Sequence, residues 1–393
     1  MAQRSEIAVV GTGPVGLVAA LGLARAGWST CLVGPAAAPS DGRTAALMAP
    51  SVDFLSGLGL WDELAAGAGP LRALRLVDDT GSLFRPPPVL FRAEEIGLAA
   101  FGWNVENARL IGSLGQEVSR TPALQRREAN VEAARFGADG VALHLSDGTT
   151  LEAGLVVAAD GRDSLVRNSA GIDARRTAYP QRAITTLLDH ERPHDDISTE
   201  FHTRAGPFTL VPLPGRRSSL VWVTSPHHAA RLLAADDSTF ADAVERRSRS
   251  LLGRMAVAGS RGSVPLASVL AGRFAGPRLV LAGEAAHALP PIGAQGLNLG
   301  LADVAALLRI LVPGSDPGEP ARLDRYGRER RRDAALRSTA VDLLNRSLLR
   351  ALLPLDALRG IGLGLLGGSG PLRRAVMRAG LPGPRAMDAA PRR

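Results

Sequence analysis

Three short stretches hold the residues whose types and spacing could do chemistry. Gly11, Gly13 and Gly16 follow the apolar run 7–10 as Gly-x-Gly-x-x-Gly, with Pro14 and Val15 inside the turn. Asp160-Gly161 ends the apolar run 155–159. Residues 283–300 read Gly-Glu-Ala-Ala-His-Ala-Leu-Pro-Pro-Ile-Gly-Ala-Gln-Gly-Leu-Asn-Leu-Gly, which groups Gly283, Glu284 and His287 with Pro291, Gly293, Gln295, Gly296 and Asn298. A glycine turn between strand and helix is built for a dinucleotide: Gly11 permits the tight turn, Gly13 admits the pyrophosphate to the positive end of the helix, and Gly16 permits close packing. The acid that usually holds the ribose at the end of the second strand is missing, because residues 32–35 read Leu-Val-Gly-Pro with Gly34 at that place.

Other chemistries drop out on residue type. The chain has no lysine, so all 46 basic residues are arginine, and neither a Schiff base nor a P-loop lysine is possible. Cys31 is the lone cysteine, which excludes a disulfide framework and cysteine-ligated metals and suits a reducing compartment. The seven histidines show no metal-ligand spacing. His287 reads as a structural histidine bonded to backbone at a helix start more readily than as a general base.

The elements that must position these residues follow from periodicity. Residues 7–10, a helix carrying Leu17, Ala20, Leu21 and Ala24 on one face, a stop at Gly27 and the strand 30–33 make a β-α-β unit. Residues 130–159 alternate in short runs split by Asp139-Gly140 and Asp147-Gly148, an antiparallel meander leading into Asp160. Strand-like segments at 183–188, 208–211 and 219–224 form a second, mainly β unit. A helical stretch at 240–252, an apolar strand at 278–282 and a helix from about Leu301 complete the pattern.

With 393 residues, 46% of them apolar, there is material for more than one packed unit. The fold expected is α/β: a Rossmann-like dinucleotide-binding domain from 1–75, 97–180 and 266–325, an inserted antiparallel β substrate domain from 76–96 and 181–265, and a C-terminal helical basic segment at 326–393. The formal charge of +8 sits at one end, since sixteen arginines face six acids from Arg322 onward and the remainder is slightly acidic. A stripe of Val341, Leu344, Leu348, Leu352 and Leu355, flanked by Arg346 and Arg350, suggests packing on the main body or contact with an anionic membrane surface. Aromatic residues do not interleave with the arginines, so nucleic acid is not expected. No apolar run reaches the roughly 18 residues of a spanning helix, and no signal peptide is read at the start.

The three blocks in this order resemble the class A flavoprotein monooxygenases, built like p-hydroxybenzoate hydroxylase. The likeness is nearest to the ubiquinone-biosynthesis hydroxylases, through residues 41–47 (Asp-Gly-Arg-Thr-Ala-Ala-Leu), 206–215 (Gly-Pro-Phe-Thr-Leu-Val-Pro-Leu-Pro-Gly), 290–301 and the Asp-Leu-Leu-Asn-Arg tract at 342–346. That resemblance implies FAD as cofactor, held by Gly11, Gly13, Pro14, Val15, Gly16, Arg43, Arg109, Asp160, Gly161, Gly283, Glu284, Gly296 and Asn298. It also implies a flavin-facing loop of Pro291, Gly293, Gln295 and Gly296, and a substrate wall of Phe208, Leu210 and Pro212 with Pro207 beside them. Glu284 stands where the family has aspartate, and no side chain is identified that deprotonates a phenol. The implied chemistry is hydroxylation of an aromatic ring, such as a polyprenylated phenol of ubiquinone biosynthesis, with NAD(P)H or another reductant and O2. Flavin hydroperoxide carries out the difficult step and the protein orients the ring. The implied setting is cytoplasmic or peripheral to the membrane, with other quinone-biosynthesis proteins as partners. Three further readings stay open: a hydroxylase of another small aromatic, a nicotinamide-linked dehydrogenase or flavin reductase needing no oxygen, and a flavin-poor scaffold of a biosynthetic complex.

Overall fold

The computed structural model describes residues 3–36, 42–81, 87–290, 295–349 and 369–380. Strand β1 (Gln3–Val10), helix α1 (Pro14–Arg25) and strand β2 (Thr30–Val33) form the expected β-α-β unit. β1 is the centre of a parallel stack in the order Leu279–Leu281, Thr150–Ala158, β1, β2, Leu124–Arg127. Ile7, Ala8, Val9, Leu155, Val156 and Val157 are all fully buried, as parallel strands covered on both faces require. The meander is present: Val131–Phe136 and Val141–Leu145 run antiparallel into Thr150–Ala158. Asp147 caps its second turn by accepting from the Thr149 amide at 2.9 Å.

A second sheet of nine strands lies beside this one. Its main path runs His287–Ala288, Gly262–Ala271, Ala174–His190, Arg217–Thr224, Gly206–Leu213, Ile197–Thr203, Ala73–Asp78, Val89–Arg92. It takes strands from Ala73 and from Ala174 onward, a few residues before the boundaries expected at 76 and 181, and continues through Gly262–Ala271 to His287–Ala288, past the one expected at 265. Helices Pro226–Ala234 and Asp237–Arg247 close one face, where Phe201, Phe208, Leu210, Trp222 and Phe240 form a separate core.

The opposite face is bound to the nucleotide-side body through a small sheet of Thr44–Met48, Gly102–Glu106 and Gly69–Pro70. Asn104, fully buried, donates to Pro212 O at 3.1 Å and Ser219 Oγ at 3.2 Å, and Thr44 Oγ1 donates to Ser219 Oγ at 2.8 Å.

Two helical features differ from the sequence reading. The helix expected near Leu301 begins at Gln295 and runs to Ile310. Gly296 and Gly300 look like helix breakers in sequence, but a side chain at Gly300 would meet Val15 Cγ2 at 2.5 Å. Close packing, rather than turn formation, uses that glycine. The C-terminal segment starts as the helix Pro320–Leu349 and resumes as Gly370–Gly380. Of the apolar stripe, Val341 is buried, Leu344, Leu348 and Arg346 fall within the first helix, and Arg350, Leu352 and Leu355 lie outside the described residues. Leu336 and Leu343 are exposed on the same helix. No helix among the described residues is long and apolar enough to cross a membrane.

Candidate active site

At the carboxyl ends of β1 and Thr150–Ala158 the turn geometry fixes which glycines the fold itself needs. Gly11 has φ +119°, and a side chain there would collide with the Ala159 carbonyl. A side chain at Gly16 would collide with the Gly11 carbonyl, so this glycine serves the turn itself. Gly13 is different, because a side chain there would meet nothing within 4 Å. The protein does not fill the space at the positive end of α1, which suits an incoming phosphate. Pro14 opens the helix at a position where its missing N–H costs nothing. Val15 packs between Gly283 and Gly300.

Asp160 lies beside this turn. Its Oδ2 accepts from the Val166 amide at 3.2 Å, while Oδ1 is buried without a hydrogen-bond partner. Burial pushes the Asp160 carboxyl up, against hydrogen bonds from Ser164 and Val166. A buried orphan acceptor is costly unless a ligand donor completes it. The open space at Gly13 and this acceptor together fit FAD. Gly161 follows with φ +87°.

Gly34 occupies the place of the usual ribose acid. A Cβ there would come within 2.9 Å of Thr12 Cγ2, and Thr12 Oγ1 donates to Pro35 O at 3.0 Å. Thr12 therefore fills the corner that an acid at 34 would need.

Residues 283–288 leave the strand Leu279–Leu281 and join the edge of the second sheet, where Ala288 pairs with Val269. They thus lie at the junction of the two bodies. Asp303, fully buried on Gln295–Ile310, holds them there. Its Oδ2 accepts from the Gly283 amide at 3.0 Å and faces His287 Nε2 at 2.7 Å, and its Oδ1 accepts from Arg330 Nε at 2.8 Å. Burial raises the Asp303 carboxyl, but His287 and Arg330 outweigh it and hold it below the usual range. The Arg330 guanidinium is pushed further up, because Asp303 outweighs its own burial. His287 thus bonds a buried carboxylate and stacks on Phe274, where the sequence suggested backbone as its partner. Its enclosure leaves it no contact with a reacting ring. Arg167, another buried cation, donates to Ala285 O at 2.9 Å and Arg162 O at 3.2 Å, joining the Asp160 turn to the 283–285 turn.

Asn298 uses its side chain within the protein. It accepts from the Met48 amide at 2.8 Å and Ser51 Oγ at 2.7 Å, and donates to Ala46 O at 2.8 Å. This anchors the start of Gln295–Ile310 to Thr44–Met48, the strand that also contacts Ser219. Gln295 Oε1 accepts from Arg337 at 3.3 Å, and Gly296 is half-buried. Pro291 and Gly293 lie outside the described residues. Glu284 is exposed and pairs with Arg162 at 3.4 Å. Arg43 is exposed beside Thr44, and Arg109 lays its guanidinium along Gly67 and donates to Glu63 O at 3.0 Å.

The substrate residues divide by strand register. Phe208 and Leu210 point into the core under the two helices. Pro212, also buried, offers its carbonyl to Asn104. The intervening positions Thr209 and Val211, with Val221 and Ser219 opposite, occupy the face turned toward the nucleotide-side body, and Thr209, Val211 and Val221 are half-buried.

These features define a dinucleotide-binding flavoprotein fold with a second sheet against the cofactor side. Residues 4–339 match the family model described as FAD binding domain, and the chain belongs to that family. It is 38% identical over 385 residues to the ubiquinone hydroxylase UbiL of Rhodospirillum rubrum, covering 95% of this chain and 89% of that one. It is 32% identical over 393 residues to the 3-demethoxyubiquinol 3-hydroxylase of Escherichia coli, covering 96% and 99%. The p-nitrophenol 4-monooxygenase PnpA of Pseudomonas putida has the same fold, with TM-score 0.80, 20% identity and full coverage of both chains. Within its family the chain is a class A FAD monooxygenase of the ubiquinone-biosynthesis group.

Proposed function

We propose that this protein hydroxylates the ring of a polyprenylated phenol in ubiquinone biosynthesis, using FAD, NAD(P)H and O2. The observation that carries the reading is the 283–288 turn, which Arg167 ties to the turn after Asp160 with its orphan acceptor and which joins the edge of the second sheet through Ala288. Residues at the start of α1 and in the 283–288 turn would hold FAD, and Thr209, Val211 and Val221 would offer the second sheet's wall to the ring. FAD supplies reduction by nicotinamide and the activation of oxygen. The protein binds the ADP end at Gly11, Gly13, Pro14, Val15 and Gly16, with Asp160 and Gly161 beside it. Arg43, Arg109, Gly283, Glu284, Gly296 and Asn298 complete the cofactor side, the last through its backbone because its side chain is committed. Pro291, Gly293, Gln295 and Gly296 are the residues that would exclude water and orient the ring. The unit boundaries follow the sheets, with the substrate unit built on the second.

The arginine-rich C-terminal segment supports contact with an anionic membrane surface or with other quinone-biosynthesis proteins, and the working location is the cytoplasmic side of that membrane. Purified protein loaded with FAD tests the reading. The expected result is a bound flavin spectrum and NAD(P)H-dependent hydroxylation of 2-geranylphenol; protein that takes up no flavin contradicts it.

A further inference from the structure

The half-open face of the second sheet carries a carboxylate with no task so far. Glu200, on Ile197–Thr203, stands opposite Thr209 on Gly206–Leu213. Its Oε1 lies 2.7 Å from His202 Nε2, and its Oε2 accepts from Thr209 Oγ1 at 3.1 Å. Its neighbours on this face are apolar: Leu76 on the parallel strand, and Val221 across from Thr209. The Glu200 side chain keeps 17% of its exposure and that of His202 keeps 7%, so the pair is largely enclosed. An ionised carboxylate has about four acceptor positions, and these two bonds leave capacity for another donor.

We propose that Glu200 accepts the proton of the substrate's ring hydroxyl, with His202 and Thr209 holding it in place. The inference rests on the ring hydroxylation proposed above. As the ring O–H bond breaks, its electron pair stays on the ring oxygen and the proton bonds to Glu200 Oε2. The oxygen then pushes charge into the ring that receives the hydroxyl. Once the new C–O bond has formed with oxygen drawn from O2, the C–H bond at that carbon breaks, its proton leaves to water and its electron pair restores the aromatic ring, while Glu200 returns its proton to the ring oxygen. The proton transfers themselves need no oxidant.

Burial raises the Glu200 carboxyl, and the His202 and Thr209 hydrogen bonds outweigh it and hold it below the usual carboxylate range. His202 is the titratable group in direct contact. Charged groups on the elements meeting this face have partners of their own: Asp78 with Thr80, Glu95 with Arg373, Glu106 with Arg217, and, on the helix Pro320–Leu349 that packs on the strand of Thr209, Arg337 with Asp333 and Asp342 with Tyr179.

The test uses FAD-loaded enzyme, NAD(P)H and 2-geranylphenol. E200Q preserves shape and removes the base. Its flavin spectrum and KM are expected to stay near wild type, while kcat for product falls about 100-fold at neutral pH, the usual loss for a general base. The deficit is expected to shrink as pH rises toward the phenol's own pKa of about 10, where ionised substrate replaces the base. E200D is expected to recover part of the loss. Wild-type kcat in E200Q, or a deficit that pH does not relieve, overturns the proposal. If E200Q loses flavin, E200D and T209V decide: a several-fold fall in kcat in both at unchanged KM is expected, and unchanged kcat overturns the assignment. Wild-type holoenzyme that forms no product overturns the proposed function together with this role, whereas product formed equally by wild type and E200Q overturns only the role of Glu200.

Discussion

Asp303→Asn is the perturbation with the most determinate cost. Asp303 is fully buried and receives three donors: the Gly283 amide, His287 and Arg330. Asparagine keeps one acceptor oxygen and turns an N–H toward a position that already holds a donor. Arg330, 1% exposed, would keep only Asp333 as a charged partner, at 3.0 Å. Removing one member of a buried ion pair costs about 3–5 kcal/mol, because the other charge stays buried without compensation. A surface pair such as Arg254–Glu191, 84% and 50% exposed, is screened by solvent, and breaking it changes stability little. Urea unfolding of apoprotein, followed by tryptophan fluorescence, separates the two cases: D303N is expected to lose several kcal/mol and R254A almost none. Since the folded carboxyl is depressed, its contribution is present above the unfolded pKa of about 3.9 and is lost as pH falls through the lower folded value. The stability gap between wild type and D303N should therefore narrow in strong acid. A D303N protein within about 1 kcal/mol of wild type at neutral pH would refute the buried-network argument, since that is the range of a surface pair.

Three shorter predictions address the cofactor side. G16A sets a methyl group against the Gly11 carbonyl, so the variant should purify without flavin, as the visible spectrum would reveal. G34E alone should not tighten FAD because Thr12 fills the corner, whereas G34E with T12G should tighten it by about 10- to 100-fold, the worth of a hydrogen bond to a charged group; fluorescence titration of apoprotein measures both. E284Q removes the exposed pair with Arg162 and should shift unfolding by less than about 1 kcal/mol, so a larger loss in thermal denaturation would contradict a surface role.

How much of this was legible in sequence depends on whether the signal was local. The β-α-β unit follows from the spacing of Gly11, Gly13 and Gly16 between an apolar strand and an apolar helix face, all within 27 residues. The start at Gln295 was hidden because Gly296 and Gly300 resemble breakers until Val15 packs against Gly300. Asp303 and Arg330 read as solvent-facing charges on helices; only tertiary folding brings them under the 283–285 turn. Phe208 and Leu210 were expected to line the substrate wall; strand register decides which side of the sheet they face, and it turns them into the core under the two helices. Glu200 and His202 alternate with apolar residues as any half-solvated strand does. The small sheet anchored through Ser219 makes their face an inner wall.

The central claim, that an oxygen atom from O2 is placed on an aromatic ring, is tested most directly with heavy-isotope dioxygen. FAD-loaded protein, NAD(P)H and 2-geranylphenol should yield a hydroxylated ring carrying the label, by mass spectrometry. Reductant consumed with the label recovered only as hydrogen peroxide, or a product whose new oxygen comes from water, would contradict the account.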